Sequence, residues 1–168
     1  MTEKSAPARI LMDLQFPPDW RYVRHLRMLI DSFVKVSADD ADLGNQVGMT
    51  AAEMAENAVK YAISENSVLR VRIDPSAGII RVEAENDASD KNIAELRKLL
   101  DQVNAGDAFQ SYIDALRDAA MNETNESKVG LARIRFEGQM SLSCEVKDNR
   151  VRLVAERQKD RGLQFVVL

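Results

Sequence analysis

Glu53, Asn57 and Lys60 lie in the stretch MTAAEMAENAVKYA, residues 49–62. Spacing of four puts Glu53 and Asn57 one turn apart on one helical face, and Lys60 follows on the neighbouring surface. A carboxylate, a carboxamide and an ammonium in that order suit a nucleotide phosphate and its Mg²⁺. The Asn57 carbonyl is the oxygen ligand that a hard cation takes. The Glu53 carboxylate can orient or deprotonate an attacking hydroxyl. The same residue types are common on a solvated helix face, so spacing alone leaves both readings open.

Other chemistry is sparse. Cys144 is the one cysteine, which excludes an internal disulfide; its apolar, alternating surroundings read as a buried structural thiol. His25 is the one histidine and has no second His or Cys at ligand spacing, so a zinc site is not expected. It sits among Arg24, Arg27 and apolar neighbours and reads as structural. No glycine-flanked serine of the nucleophile-elbow kind is visible.

The elements that must position the Glu53 stretch read as follows. Residues 9–16, RILMDLQF, form a strand stopped by Pro17-Pro18. Asp19 caps a helix over 20–36, where Tyr22, Val23, Leu26, Leu29, Ile30 and Phe33 recur at helical spacing. Ser37-Ala38-Asp39-Asp40 breaks it, and a second helix runs to about Ala62, weakened near its start by Gly44 and Gly48. Strands 68–73 and 79–85 flank turn residues Asp74-Pro75-Ser76-Ala77-Gly78 and form a hairpin. Two helical pieces follow over 91–122. Ile93, Leu96, Leu99, Leu100 and Val103 stripe the first, and Phe109, Tyr112, Ile113, Leu116 and Ala120 stripe the second. Gly106 between them suits a left-handed C-cap. After the polar loop 122–128, residues 129–136, VGLARIRF, read as a short helix, with alternation that also permits a strand. Strands 140–146 and 151–156 close the chain around the turn Asp148-Asn149.

This order predicts an α+β two-layer sandwich, a mixed and mostly antiparallel sheet with helices on one face. Residues 1–8 are expected to be a flexible N-terminus, 9–157 the domain, and 158–168 a C-terminal tail or extra edge strand ending in apolar FVVL. With 168 residues, one domain is the simplest division. A net charge of −4 and dispersed Lys and Arg argue against nucleic-acid binding. The N-terminal MTEKSAPAR lacks a signal peptide's apolar core, and no stretch approaches the roughly 20 apolar residues of a membrane span. A cytoplasmic protein without membrane partners is expected.

The sequence from Glu53 to Ala62, EMAENAVKYA, resembles the N box of the GHKL (histidine-kinase-like) ATPase superfamily, and the element order from about Arg9 to Glu156 is similar to that fold. The nearest likeness is to small stand-alone anti-sigma-factor serine kinases and related partner-switching kinases. That resemblance implies a Bergerat-type sandwich. It places the base or water-positioning role on Glu53, the Mg²⁺ ligand on Asn57, and Lys60 near the phosphates of ATP. After the second hairpin strand the family carries D-x-G-x-G. Here strand alternation puts Asn86 at the adenine-recognising Asp, Ala88 at the first glycine and Asp90 at the second. Asn86 can still pair with an adenine amine, but the backbone freedom of both glycines is gone. The later G-x-G-L reduces to Lys128-Val129-Gly130-Leu131. A helix N-terminus there suits an anion, with Lys128 a point charge for phosphate.

Three functions stand open. One is a regulator that acts by protein–protein binding with a degenerate nucleotide site, a pseudokinase. The second is an active Mg-ATP-dependent protein serine kinase acting on a STAS-domain antagonist. The third is an unrelated α/β domain. On the first two readings the resemblance implies a STAS-domain antagonist or a sigma factor as partner, and a homodimer is possible. The two helical stretches over 91–122 occupy the place of the family's ATP lid; their stripes are expected to pack into the core.

Overall fold

The computed structural model describes residues 9–121 and 126–158. Residues 1–8, the tail after Gln158 and most of the polar loop lie outside the described residues.

Five strands and five helices follow one another: β1 (Ile10–Phe16), α1 (Trp20–Ala38), α2 (Ala41–Tyr61), β2 (Ser67–Asp74), β3 (Ile79–Asp87), α3 (Asp90–Asn104), α4 (Ala108–Met121), α5 (Glu126–Phe136), β4 (Ser141–Lys147) and β5 (Arg150–Gln158). The sheet order is β1-β2-β3-β5-β4, and every one of its pairings is antiparallel. Helices cover one face, so the fold is the expected α+β two-layer sandwich.

Local chemistry explains the boundaries. The Asp19 side chain accepts from the Arg21 amide to start α1, and the Asp40 side chain accepts from the Leu43 amide to start α2. Asp39 between them has φ 48°, a left-handed C-cap that reverses the chain. Gly78 and Gly106 take positive φ at the first hairpin and at the α3–α4 joint. Asp148 and Asn149, with φ of 49° and 63°, make a two-residue turn of the kind that matches strand twist. The ambiguous VGLARIRF segment is helical, with Gly130, Leu131, Ala132 and Ile134 buried.

Register builds the core. Leu69 faces Ala84, Val71 faces Val82 and Ile73 faces Ile80, and Val82 in turn faces Ala155 on β5. These side chains share one cluster with Met54, Ala55 and Ala58 of α2 and Leu131 and Ile134 of α5. α2 thus lies against the sheet along its whole inner stripe, carrying Glu53 and Asn57 to the edge of that contact. α1 packs beside α2, and its Val23, Leu26, Ile30 and Val34 join the same core.

The two lid-position helices behave differently. The α3 stripe is core, with Ile93, Leu100 and Val103 buried as expected. The α4 stripe is core only in part: Tyr112 packs against the core beside the buried Ala115, while Phe109 is 52% exposed and Leu116 41%. His25 is exposed on α1 and so has no core role, whereas Cys144 is half-buried against the core, which pushes its thiol up. No described helix is long and apolar enough to cross a membrane.

Candidate functional site

Glu53 and Asn57 share one helix face but meet different neighbours. Glu53 turns to α5, where Arg133 Nη1 donates to its Oε1 at 3.2 Å. A Cβ on Gly130 would stand 2.5 Å from Glu53 Oε2. The carboxylate therefore sits close against the α5 backbone, in space that a side chain at position 130 would contest. Its side chain is 17% exposed. Burial pushes the Glu53 carboxyl above the ordinary range, the Glu56 charge adds to this, and Arg133 opposes it.

Arg133 is held in turn. Its Nε donates to Glu137 Oε2 at 2.9 Å, and Tyr112 of α4 donates its hydroxyl to Glu137 Oε1 at 3.1 Å. A chain of contacts thus runs from α4 to the N-box carboxylate. Sequence reasoning missed Arg133, Glu137 and Tyr112. The spacing of Arg133 and Glu137 signals an i, i+4 pair, but nothing in it connects to a residue 80 positions earlier.

Asn57 faces a cavity of about 30 Å³ between α2, β3, β5 and α3, lined also by Tyr61, Asn86 and Asn92. Its Nδ2 is buried with no hydrogen-bond partner. A cavity of this size has room for about two waters, and an unpartnered amide is the polar group a water would satisfy. Asn86 lines the same cavity and spends its amide on the Asp87 carbonyl at 3.2 Å. Asn92, also unforeseen from the sequence, donates to the Tyr61 carbonyl at 3.3 Å and ties α3 across the mouth. The stretch that replaces D-x-G-x-G runs straight into a helix: Ser89 caps α3 by accepting from the Asn92 amide, and Asp90 is its first residue.

The cations are engaged. Lys60 Nζ donates to Glu126 Oε2 at 3.2 Å and lies 5.8 Å from the centroid of the Trp20 ring. Lys128 Nζ donates to Asp118 Oδ2 of α4 at 2.6 Å. α5 already runs from Glu126, so Gly130 is inside the helix and its amide belongs to the intrahelical ladder rather than to an anion. The structure therefore brings Asn57 and Asn86 to one cavity, sets Glu53 against Gly130, and leaves Lys60 and Lys128 each on a separate acid. Among the described residues, no group of three or more His, Cys, Asp or Glu side chains could hold a metal ion.

The chain thus has the sandwich that the resemblance to histidine-kinase-like ATPases implied. No family model matches the sequence, and no curated protein matches it. Among solved structures, it is similar to a chain in the crystal structure of the SiaB–SiaC complex from Pseudomonas aeruginosa. The TM-score is 0.63 at 15% sequence identity, over 86% of this chain and 88% of that one. At that identity the likeness is one of fold.

Proposed function

We propose that this protein is a signalling regulator that acts by binding a partner protein, on a histidine-kinase-like ATPase fold whose nucleotide site is degenerate. The observation that carries the reading is the cavity beside Asn57 and Asn86. Its volume of about 30 Å³ suits a pair of waters, not a purine ring. The paired cations support it, since phosphoryl transfer depends on positioned charge around the phosphates. So does Glu53, whose carboxylate is already spent on Arg133. As arranged, these residues do not fit Mg-ATP. The partner side of the reading is supported by the solved relative, which is part of a two-protein complex. From the resemblance of the Glu53–Ala62 stretch to partner-switching kinases, the partner class is a STAS-domain antagonist or a sigma factor.

A second reading, an active Mg-ATP-dependent serine kinase, is favoured by one feature. The Glu53 and Asn57 pair is complete, and a carboxyl raised by burial is suited to accept a proton. Calorimetric titration with ATP, with and without Mg²⁺, separates the two. The regulator reading expects no binding at millimolar ATP. Micromolar, Mg²⁺-dependent binding that disappears in Asn57→Ala, with the fold intact by circular dichroism, sinks it.

A further inference from the structure

The apolar arc of α1 is wider than the core it serves. Val23, Leu26, Ile30, Val34 and Ala38 are buried, yet Tyr22, Leu29 and Val36, spaced by seven, stand exposed beside them. A spacing of seven keeps a row on one side of a helix over several turns. Its direction follows from the glycines of α2. Cβ atoms on Gly44 and Gly48 would meet Asp31, and that on Gly48 also Arg27, so these two residues face α2. Leu29 is two positions from each, a rotation of about 200° at 3.6 residues per turn. The row therefore points away from α2. On its other flank α2 meets α5, which packs on β4 at the far end of the sheet. α1 accordingly lies at the β1 end, with its row turned outward past the last strand. Phe33, half-buried on the core, adjoins Leu29 and Val36 and widens the row. β1 pairs with β2 on one side, and its other edge is unpaired among the described residues.

What fits this row is a second copy of it. Its apolar residues are symmetric about Leu29, and the charges along α1 are not. The first half carries Arg21, Arg24 and Arg27 with Asp19 at its cap; the second carries Asp31 and Lys35 with Asp39 at the C-cap. A two-fold axis through Leu29 sets Leu29 on its own copy and Tyr22 on Val36 of the other chain. It also brings the basic end of each helix to the acidic end of the other, whereas a parallel pair would stack like ends. Contact of i with j and of j with i is what a two-fold dimer requires. A few side chains on one helix fall short of the roughly 800 Å² per partner of a standard interface. The unpaired β1 edge beneath them supplies the rest, since an edge strand is a template for a further strand. We propose that this protein forms a two-fold dimer through the β1 end of the sandwich, with α1 antiparallel to its copy about Leu29 and the two β1 edges meeting below. Glu53 turns to α5, on the side of α2 away from this interface, so the dimer forms whether or not nucleotide binds.

Sedimentation equilibrium of the full chain from about 1 to 100 µM is expected to show monomer and dimer in exchange. Leu29→Glu puts two carboxylates on the axis and is expected to weaken association roughly tenfold or more, the loss typical of a central interface residue. Should that variant not fold by circular dichroism, Val36→Glu, at a position 73% exposed, takes its place. Met121→Glu, on α4 and 75% exposed, is expected to leave the dimer unchanged. Mild oxidation in a Cys144→Ser background reads the register. Leu29→Cys is expected to cross-link to its own copy, and Tyr22→Cys only to Val36→Cys when the two chains are mixed. Hydrogen exchange of the β1 amides is expected to slow as the concentration rises. A wild type that stays monomeric at about 100 µM overturns the proposal. So does a dimer that Leu29→Glu leaves intact, or one that Met121→Glu dissociates equally. Tyr22→Cys cross-linked to itself overturns the antiparallel arrangement, and β1 amides that exchange alike in monomer and dimer overturn the meeting of the β1 edges.

Discussion

Glu53 is under opposed influences that a titration can separate. Burial and Glu56 favour its neutral form, and Arg133 favours its anion; burial is the larger influence and the carboxyl is raised above 4.5. A carboxyl raised in the folded state binds its proton more tightly there than in the unfolded chain. Its contribution to stability is therefore complete below the unfolded value and is lost as pH rises through the folded one. Glu53→Gln keeps the shape and removes the ionisation. Thermal unfolding at pH above that range is expected to give the variant an equal or higher Tm than wild type, with the difference vanishing well below pH 4.5. A variant that is less stable only at neutral pH would show that the Arg133 pair outweighs burial. The residue scale is also where the sequence was least informative. Helical spacing places Glu53 and Asn57 on one face, but it cannot show that one meets a glycine backbone and the other a cavity. Nor can it show that Lys60 and Lys128 are met by Glu126 and Asp118.

At the scale of elements, local signals are legible in the sequence and packing partners are not. Caps at Asp19 and Asp40 and turns at Gly78 and Asp148-Asn149 lie in the backbone states their residue types favour, so strands and helices begin and end close to where they are expected. The α4 stripe has the same periodicity as the α3 stripe, yet α3 is covered more fully, while α4 meets α5 through Tyr112 and leaves Phe109 and Leu116 half exposed, because periodicity describes a face and not what covers it. Gly44 and Gly48 show the same limit. From sequence they look like weak points in α2, but they are where α1 approaches. A Cβ on Gly44 would stand 2.8 Å from the Asp31 carbonyl oxygen; on Gly48 it would stand 2.9 Å from Asp31 Cβ and 3.1 Å from the Arg27 carbonyl oxygen. Backbone atoms cannot move aside as a flexible side chain does. Alanine at either position gains about 1 kcal/mol of helix propensity, but it forces an overlap that costs about 1–3 kcal/mol in close-packed surroundings. Gly48→Ala is thus expected to lower Tm in thermal denaturation, and the double substitution with Gly44→Ala to lower it further. A rise in Tm would mean that α1 can slide on α2.

For the molecule as a whole, the two faces of the sheet are stabilised by different physics. The helix face is an ordinary apolar core. Among the described residues, the other face carries no helical layer, and arginine side chains lie across it. Glu85, 8% exposed, accepts from Arg152 Nε at 2.7 Å and from Arg70, with Arg150 3.6 Å away. Glu83, 2% exposed, lies beneath Arg70, Arg72 and Arg81 at 3.6–3.9 Å. Arg70 also reaches Asp13 on β1 at 2.8 Å, so the lattice crosses the sheet from β1 to β5. The aliphatic stems of these arginines shield the strands while their guanidinium heads stay wet. Burial pushes the Glu85 carboxyl up, but the hydrogen bonds from Arg152 and Arg70 outweigh it and leave it below the usual value of 4.5. The sign is opposite to that of Glu53: this contribution is present above 4.5 and is lost as pH falls through the depressed folded value. Glu85→Gln is expected to cost about 1–2 kcal/mol at neutral pH, less than a fully buried pair because its arginines remain partly hydrated. It is also expected to flatten the acid limb of the stability curve. Urea unfolding of both variants across the acidic range would then show two carboxyls of one domain acting in opposite directions. Glu53→Gln removes a loss of stability that sets in as pH rises, and Glu85→Gln removes one that sets in as pH falls. Parallel acid limbs for Glu85→Gln and wild type would mean that the arginine lattice shields the sheet without stabilising it.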